Sequence, residues 1–461
     1  MNQKKFNNLA YINPDDFIYG CSKIPVKFKN GMIIGGGAIY PELNFTLPPM
    51  EVSKETMPEI VKQYREIIED ACKRAKELYV PAFVAEIELL PPMTYNPEWG
   101  IEVTKVVREV MHEYEAKYNL KSVLRITPVD IREDKQSPHM WHGSHWDAIM
   151  RTFEGCAEAG ADMLSIESIG GKDMHDDAVM FCEIDKSLFS LGILGTRDMS
   201  RLWSEISKIA DRTGTVAAGD TACGFANTAM VLAERGFILR VFAAVVRVIS
   251  AVRSLVAIEE GATGPHKDCG YEGVYVKAIT GTPISMEGKS SACAHLSPVG
   301  NIAACVADLW SNESVQNIKL LGGMAPTVSM EQLTYDCRLM NTAAESGKDN
   351  ALLLRNWLCE SDSKYDPQAY VLRPDVVIEI SKEIVKEDSH FKRSMAAAYA
   401  AISSLRTAVK EKKLIIDERE LSWLDNMESQ LDSIPDDEEK FTAEMLERDV
   451  SGKLDPKKYD L

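Results

Sequence analysis

Residues 161–171 read ADMLSIESIGG, and residues 215–224 read TVAAGDTACG. Each begins with a short apolar run that fits a buried strand, followed by a turn of glycine and polar residues. Stretches with apolar residues at helical spacing follow such turns along the middle of the chain. Because the pattern repeats, it predicts strands that alternate with helices, as in a parallel α/β protein.

The repeated pattern predicts strands at 82–88, 122–127, 162–167, 189–194, 215–219, 254–258, 283–287 and, as the weakest, 316–320. Helical spacing lies between them, for example at 98–118 and 146–158, and residues 52–79 predict a helix before the first strand. Eight strand–helix units favour a (β/α)8 TIM barrel, since a closed parallel sheet leaves no exposed edge. An open doubly wound sheet is the alternative.

The regions outside these units are predicted as additions to the barrel. Residues 1–81 form an N-terminal extension with a covering helix, residues 82–350 the barrel, and residues 351–461 a helical appendage packed on it. The glycine-rich piece at 31–38, GMIIGGGA, lacks the spacing of a dinucleotide-binding loop, so we expect a turn there.

The composition excludes several classes of protein. The chain has 461 residues and a formal net charge of −18, with 45% hydrophobic residues. The acidic balance argues against nucleic acid and against an anionic membrane as partners. Residues 236–258 are apolar but carry Arg240, Arg247 and Arg253 near one side of a helix, which argues against a membrane span. The start shows no signal peptide and the ten cysteines suggest reduced thiols, so we expect a cytoplasmic protein.

Polar residues follow three of the predicted strands. Glu167 ends the third strand, and Cys223 and Cys269 follow the fifth and the sixth. In a parallel barrel such groups meet at one mouth, where a carboxylate and two thiolates would give zinc three ligands and leave a fourth position open. Buried, inert thiols explain these residues more simply, because a separation of 46 residues is no recognised ligand spacing.

Two other groups contain residue types that bind metals. The first is the loop segment with His139, His142 and His145, for which a structural or lid role is the better explanation. The second is Cys293 with His295, which would face the same side of an extended chain. A packed cysteine and a hydrogen-bonded histidine explain this second pair equally well.

Five segments are the most distinctive: ADMLSIESIGGK (161–172), GDTACGFANTAM (219–230), ISAVRSLVAIEEGATGPHKDCGYE (249–272), VKAITGTPISMEGKSSACAH (276–295) and LWSNESV (309–315). Together they resemble the zinc subunit of the methanol:corrinoid methyltransferases. The resemblance extends from LAYINPDDFIYG near the N-terminus to SIPDDEEKF near the C-terminus. The segment from 138 to 146 is not a recognised feature of that family.

The resemblance implies a TIM barrel with added helices and a zinc ion held by Glu167, Cys223 and Cys269. It also implies transfer of the methyl group of methanol to the cob(I)amide of a separate corrinoid protein, which carries the corrinoid. His266 departs from the family motif but leaves Cys269 intact. Asp220 is our candidate for a proton donor or for support of the ligands. We expect a hetero-oligomer with the corrinoid protein, and whether it has a homodimeric core stays open.

Two other functions also stay open from the sequence. The same zinc barrel could act on another small methylated compound, because a few cavity residues would change the donor without changing the ligands. A barrel without catalysis could instead serve as a scaffold for a corrinoid protein.

Overall fold

The computed structural model describes residues 5–47, 50–132, 137, 139–289, 299–315, 319–320, 323–449 and 454–461. The strands of this part are β1 Cys21–Lys27, β2 Ile33–Gly36, β3 Tyr40–Thr46, β4 Ala82–Leu89, β5 Lys121–Pro128, β6 Met163–Ile166, β7 Val216–Asp220, β8 Ser285–Glu287, β9 Leu309–Val315, β10 Lys319–Leu320 and β11 Gly323–Met324. The α-helices are α1 Met57–Glu77, α2 Pro91–Tyr95, α3 Pro97–Tyr118, α4 Ser144–Glu158, α5 Lys172–Phe181, α6 Ile184–Phe189, α7 Thr196–Thr213, α8 Thr228–Glu234, α9 Arg240–Glu259, α10 Gly273–Thr280, α11 Ala325–Glu345, α12 Lys348–Ser363, α13 Pro367–Tyr370, α14 Pro374–Ile384, α15 His390–Lys410, α16 Glu418–Asp432 and α17 Glu438–Arg448.

Seven parallel strands form the central sheet of the described chain, in the order β7-β6-β5-β4-β3-β9-β8. The segment 263–266 joins the two edges of this sheet. Thr263 donates a backbone hydrogen bond to Ala217 of β7 (2.8 Å), and Ser285 of β8 donates one to His266 (3.3 Å). Eight chain segments therefore surround one interior, and the prediction of a TIM-barrel fold is confirmed.

Three of the predicted barrel strands are wrong. Residues 189–194 lie at the end of α6 and in the π-helical turn Ser190–Gly195, and residues 254–258 lie in α9. Both stretches are buried, and periodicity alone does not separate a short apolar run in a buried helix from a buried strand. Of 316–320, only β10 lies within the described residues, and it pairs antiparallel with β11 outside the barrel sheet.

Two barrel strands are absent from the prediction, β3 and β9. They pair with each other along seven residues of each strand. Their inward-facing residues are polar, such as Glu42 and Asn44 on β3 and Ser311 on β9, so neither strand shows an apolar run. The barrel therefore begins at β3 and not at residue 82, and α1 connects β3 to β4. The piece at 31–38, predicted as a turn, contains β2.

The β1–β2 hairpin closes one end of the barrel. Ten buried residues form a separate apolar cluster there: Val26, Phe28, Met32, Ile34, Ala82, Val84, Val123, Met163, Ala218 and Leu309. The barrel residues of this cluster come from the first half or the middle of their strands, so the cluster is a floor opposite the C-terminal ends of the strands. Above this floor the interior holds fully buried charges, including Glu42, Glu86 and Arg125.

Helix α9 lies at the centre of the helical part of the molecule. Among the described residues it is the one helix long and apolar enough to cross a membrane, yet its whole apolar window is buried inside the protein. It packs against α7, and it also packs against α13, α15 and α16 from the C-terminal region. This environment is that of a helix in the core of a globular protein.

Candidate metal centre

The C-terminal ends of the barrel strands lie at the rim opposite the apolar floor. Glu167 directly follows β6 and forms an isolated parallel bridge with Val129, which follows β5. Cys223 comes three residues after β7, and Cys269 comes three residues after the barrel segment 263–266. Three neighbouring loops therefore reach the rim with one predicted ligand each.

The structure brings the three predicted ligands together. A carboxylate oxygen of Glu167 and the Sγ atoms of Cys223 and Cys269 all lie within 4.8 Å of one another. Cys269 is buried, whereas Glu167 and Cys223 are partly exposed, so the group is open to solvent on one side. Two thiols and a carboxylate at this spacing suit Zn²⁺, which in catalytic sites takes three protein ligands and keeps one position for substrate.

The backbone around each cysteine fixes its position. Cys269 has a φ of +59°, in the left-handed region, and the chain turns sharply there. A Cβ at the next residue, Gly270, would lie 2.2 Å from Oγ1 of Thr221, so glycine lets the two loops meet. Cys223 opens a π-helical turn, Cys223–Asn227, of the kind often found at functional sites.

The two thiols share a hydrogen bond. Donation from Cys269 lowers the pKa of Cys223, but burial and the nearby Glu167 raise it, and the net pKa is about 11. The same hydrogen bond and burial raise the pKa of Cys269 well above its ordinary value. Both thiols therefore hold their protons near neutral pH in the metal-free protein, and metal binding releases protons as the thiolates form.

A buried lysine lies beside these ligands and is absent from the sequence prediction. The Lys267 ammonium is 2.7 Å from Glu88, 2.9 Å from Glu167, 2.9 Å from Asp268 and 3.4 Å from Glu86. Glu86, Glu88 and Asp268 are close enough to one another to hold a metal ion, but the ammonium already supplies a cation there. Burial raises the pKa of Glu167, and the positive charge of Lys267 opposes this shift.

Comparisons with known proteins show the family to which this chain belongs. The model of the family described as MtaB, the methanol-cobalamin methyltransferase B subunit, matches residues 3–460. The chain belongs to this family. It is 41% identical to a methanol–corrinoid protein co-methyltransferase of Methanosarcina barkeri (strain Fusaro / DSM 804). The aligned region of 451 residues covers 97% of this chain and 96% of that protein. Its fold matches the crystal structure of the methanol:cobalamin methyltransferase complex MtaBC from Methanosarcina barkeri with a TM-score of 0.94, at 39% identity, over 99% of this chain and 100% of that one.

Asp220 of this MtaB family member lies next to the predicted ligands but not among them. Its carboxylate accepts hydrogen bonds from Trp203 (2.9 Å) and from the backbone of Ser168 (3.2 Å) and Thr221 (2.8 Å), and lies 3.5 Å from Arg253. Burial raises its pKa, and Arg253 opposes this shift. A carboxylate with so many partners holds the loop after Glu167 in place, which favours support of the ligands over proton donation.

The loop histidines do not join the group of ligands. Nε2 of His139 lies 3.0 Å from the Asp460 carboxylate, and its ring stacks on His142 at 3.9 Å. Among the described residues, the groups that could hold a metal ion include neither these two nor His145. The alternative ligands Cys293 and His295 lie outside the described residues.

Proposed function

We propose that this chain is a zinc-dependent methyltransferase that transfers the methyl group of methanol to the cob(I)amide of a separate corrinoid protein. The observation that carries the proposal is the convergence of Glu167, Cys223 and Cys269 at the open rim of the barrel. Membership of the MtaB family and the names of the two similar proteins support methanol as the donor and a corrinoid as the acceptor.

The reaction needs an activated oxygen, because hydroxide is a poor leaving group from methanol. Zinc held by the three ligands would act as a Lewis acid toward that oxygen. In this reaction the methyl carbon would pass to cobalt, the C–O bond would break, and the oxygen would leave as water after taking up one proton from solvent. Cobalt supplies the electron pair of the new bond.

The residues of this chain prepare the centre for that chemistry. Two thiolates and one carboxylate carry three negative charges, and the Lys267 ammonium, 2.9 Å from Glu167, offsets part of this charge. The same ion pair fixes one oxygen of Glu167. Since the ligands lie on loops of a rigid barrel, their spacing is set before the substrate enters.

The corrinoid is expected from a partner because this sequence contains no D-x-H-x-x-G motif, whose histidine would serve as an axial ligand of cobalt. The partly exposed side of the ligand group faces the rim, where a corrinoid presented by another protein has access. The metal centre and the methyl acceptor would then come from different chains.

The test is to measure zinc content together with methanol-dependent methylation of a cob(I)amide on a corrinoid protein. We expect one zinc per chain and methylation that requires methanol. Stoichiometric zinc with turnover only on another methylated donor would show that the methyl donor is not methanol. A folded protein that binds the corrinoid protein but has neither zinc nor turnover would be a scaffold.

A further inference from the structure

Helix α9 places the positively charged side chain of Arg247 in a mostly apolar environment. Arg247 is fully buried, unlike the partly exposed Arg240 at the start of the same helix. Its guanidinium donates to Oδ1 of Asn227 and to Oε1 of Gln368, both at 3.2 Å, and lies 5.1 Å from the centre of the Tyr271 ring. A buried charge is costly unless it is well bonded, and here it is bonded to two neutral amides.

The bond from Arg247 determines which way the Asn227 amide faces. Because its oxygen accepts from a guanidinium, its NH₂ group must point the other way. That group donates to Sγ of Cys223 at 3.7 Å and to the backbone oxygen of Cys269. A single amide thus contacts both cysteines of the candidate metal centre.

The hydrogen bonds that lead away from the cysteines end at Gln368, in the C-terminal region. Gln368 is fully buried in the short helix α13, whose first turn is capped by the Asp366 carboxylate through the backbone of Gln368 (2.6 Å) and Ala369 (3.2 Å). The cap fixes Gln368, Gln368 helps to fix Arg247, and Arg247 fixes Asn227. The C-terminal helices are therefore connected to the metal centre by defined hydrogen bonds.

We propose that Asn227, held by Arg247 and Gln368, is the positioning residue for both cysteine ligands. The inference rests on the zinc site proposed above and assigns it a support that reaches into the C-terminal region. The N–H bond to Cys223 fixes the direction of Sγ and withdraws electron density from the thiolate, while the bond to the Cys269 carbonyl fixes the left-handed turn. Both effects hold the sulfurs at a spacing that fits one metal ion.

The test compares the wild type with Asn227→Ala and with Asn341→Ala as a matched control. Asn341 also makes two side-chain hydrogen bonds to backbone, to the N–H and the carbonyl of Ile39, both 2.9 Å, but at the opposite end of the barrel. Zinc affinity is measured by competition with a chromophoric chelator, and cobalt(II) is used to record the sulfur-to-metal charge-transfer band.

We expect Asn227→Ala to bind zinc roughly 10–100-fold more weakly, the usual effect of losing an outer hydrogen bond to a metal ligand. Its cobalt band should move to longer wavelength, because a sulfur without the hydrogen bond gives up electron density more easily. Asn341→Ala should keep the wild-type affinity and band. A role limited to general stability would lower the stability of both variants and move neither readout.

Gln368→Ala removes the hydrogen bond that holds Arg247 and leaves Asn227 in place. It is the second test variant if Asn227→Ala does not fold. It should change both readouts in the same direction, with a smaller loss of affinity. Wild-type affinity and an unmoved band in the folded variants would overturn the inference while the zinc site stands. A wild type that binds no stoichiometric zinc would overturn the zinc site and the inference with it.

Discussion

Replacing Lys267 with Met removes the cation from the centre of the carboxylate cluster. The ammonium is fully buried and lies within 3.4 Å of carboxylate oxygens of Glu86, Glu88, Glu167 and Asp268. Breaking a buried ion pair by removing one partner costs about 3–5 kcal/mol, because the remaining charge stays buried without compensation. That loss is a large share of the roughly 5–15 kcal/mol by which a domain is stable.

The destabilisation by Lys267→Met should grow with pH. Burial raises the pKa of Glu86 well above its ordinary value and also raises that of Glu167, while Lys267 opposes both shifts. Loss of the ammonium therefore raises both pKa values further. A carboxyl group whose pKa is higher in the folded than in the unfolded state makes its full contribution to protein stability below the unfolded-state pKa. That contribution is lost as the pH rises through the folded-state pKa. The variant should be closest to the wild type near about pH 5 and furthest near about pH 8.

The assay is urea unfolding of the metal-free proteins at both pH values, with zinc binding measured in parallel. Lys277→Met is the matched control, because Lys277 is also buried but pairs with Asp308 (2.8 Å) away from the ligands. The control should lose stability and keep zinc, whereas Lys267→Met should lose both. A loss below about 1 kcal/mol near pH 8, within the range of ordinary substitutions, would refute the reasoning.

Three further predictions concern the predicted ligands and the strand β7 that leads to Cys223. Cys223→Ala and Cys269→Ala should each lose zinc and activity while circular dichroism shows a folded barrel. Cys72→Ala is the control and should keep full zinc. Stoichiometric zinc in both ligand variants would show that these cysteines are not the zinc ligands. Glu167→Gln should weaken zinc binding and lower turnover per bound zinc at least roughly tenfold at saturating methanol, and an unchanged turnover per zinc would exclude it as a ligand. Gly219→Ala should lower the melting temperature, since φ is +145° there and a Cβ would lie 2.8 Å from a histidine ring; an unchanged melting temperature would contradict this close contact.

Much of the barrel follows from the sequence alone. The predicted runs at 82–88, 122–127, 162–167 and 215–219 coincide closely with β4, β5, β6 and β7, and residues 283–287 contain β8. In these strands the residues that face the helices or the apolar floor are apolar, for example Phe83, Val84 and Ala85 of β4. Among the described residues from 351 to 461 the elements are helices.

The failures arise at elements whose pattern of apolar residues is not the usual one for their type. Strand β3 points Glu42 and Asn44 into the barrel, so its pattern is that of an exposed segment. Helix α9, in contrast, is buried on every side and contains the apolar run at 254–258 that strand patterns favour. Patterns of apolar residues report burial, and they do not report which kind of element is buried.

The candidate centre could be found because its three residues lie just after barrel segments. The sequence predicts Cys269 in the loop after a strand at 254–258, which lies in α9. Cys269 also follows the observed barrel segment, 263–266, so it reaches the rim although the predicted strand is wrong. The supporting residues could not be found in this way. Lys267 and Asn227 belong to no ligand pattern, and their roles depend on contacts between loops that are distant in sequence.

The closure of the barrel floor by the β1–β2 hairpin has a consequence for synthesis on the ribosome. The hairpin emerges first, but its apolar side chains are covered only by a cluster whose last member is Leu309. About 280 residues separate Phe28 from Leu309, which corresponds to roughly 15–60 s at roughly 5–20 residues per second. Throughout that interval the nascent chain carries an apolar hairpin without its complete binding surface. We therefore expect chaperone contacts and aggregation of unfinished chains to concentrate on the hairpin.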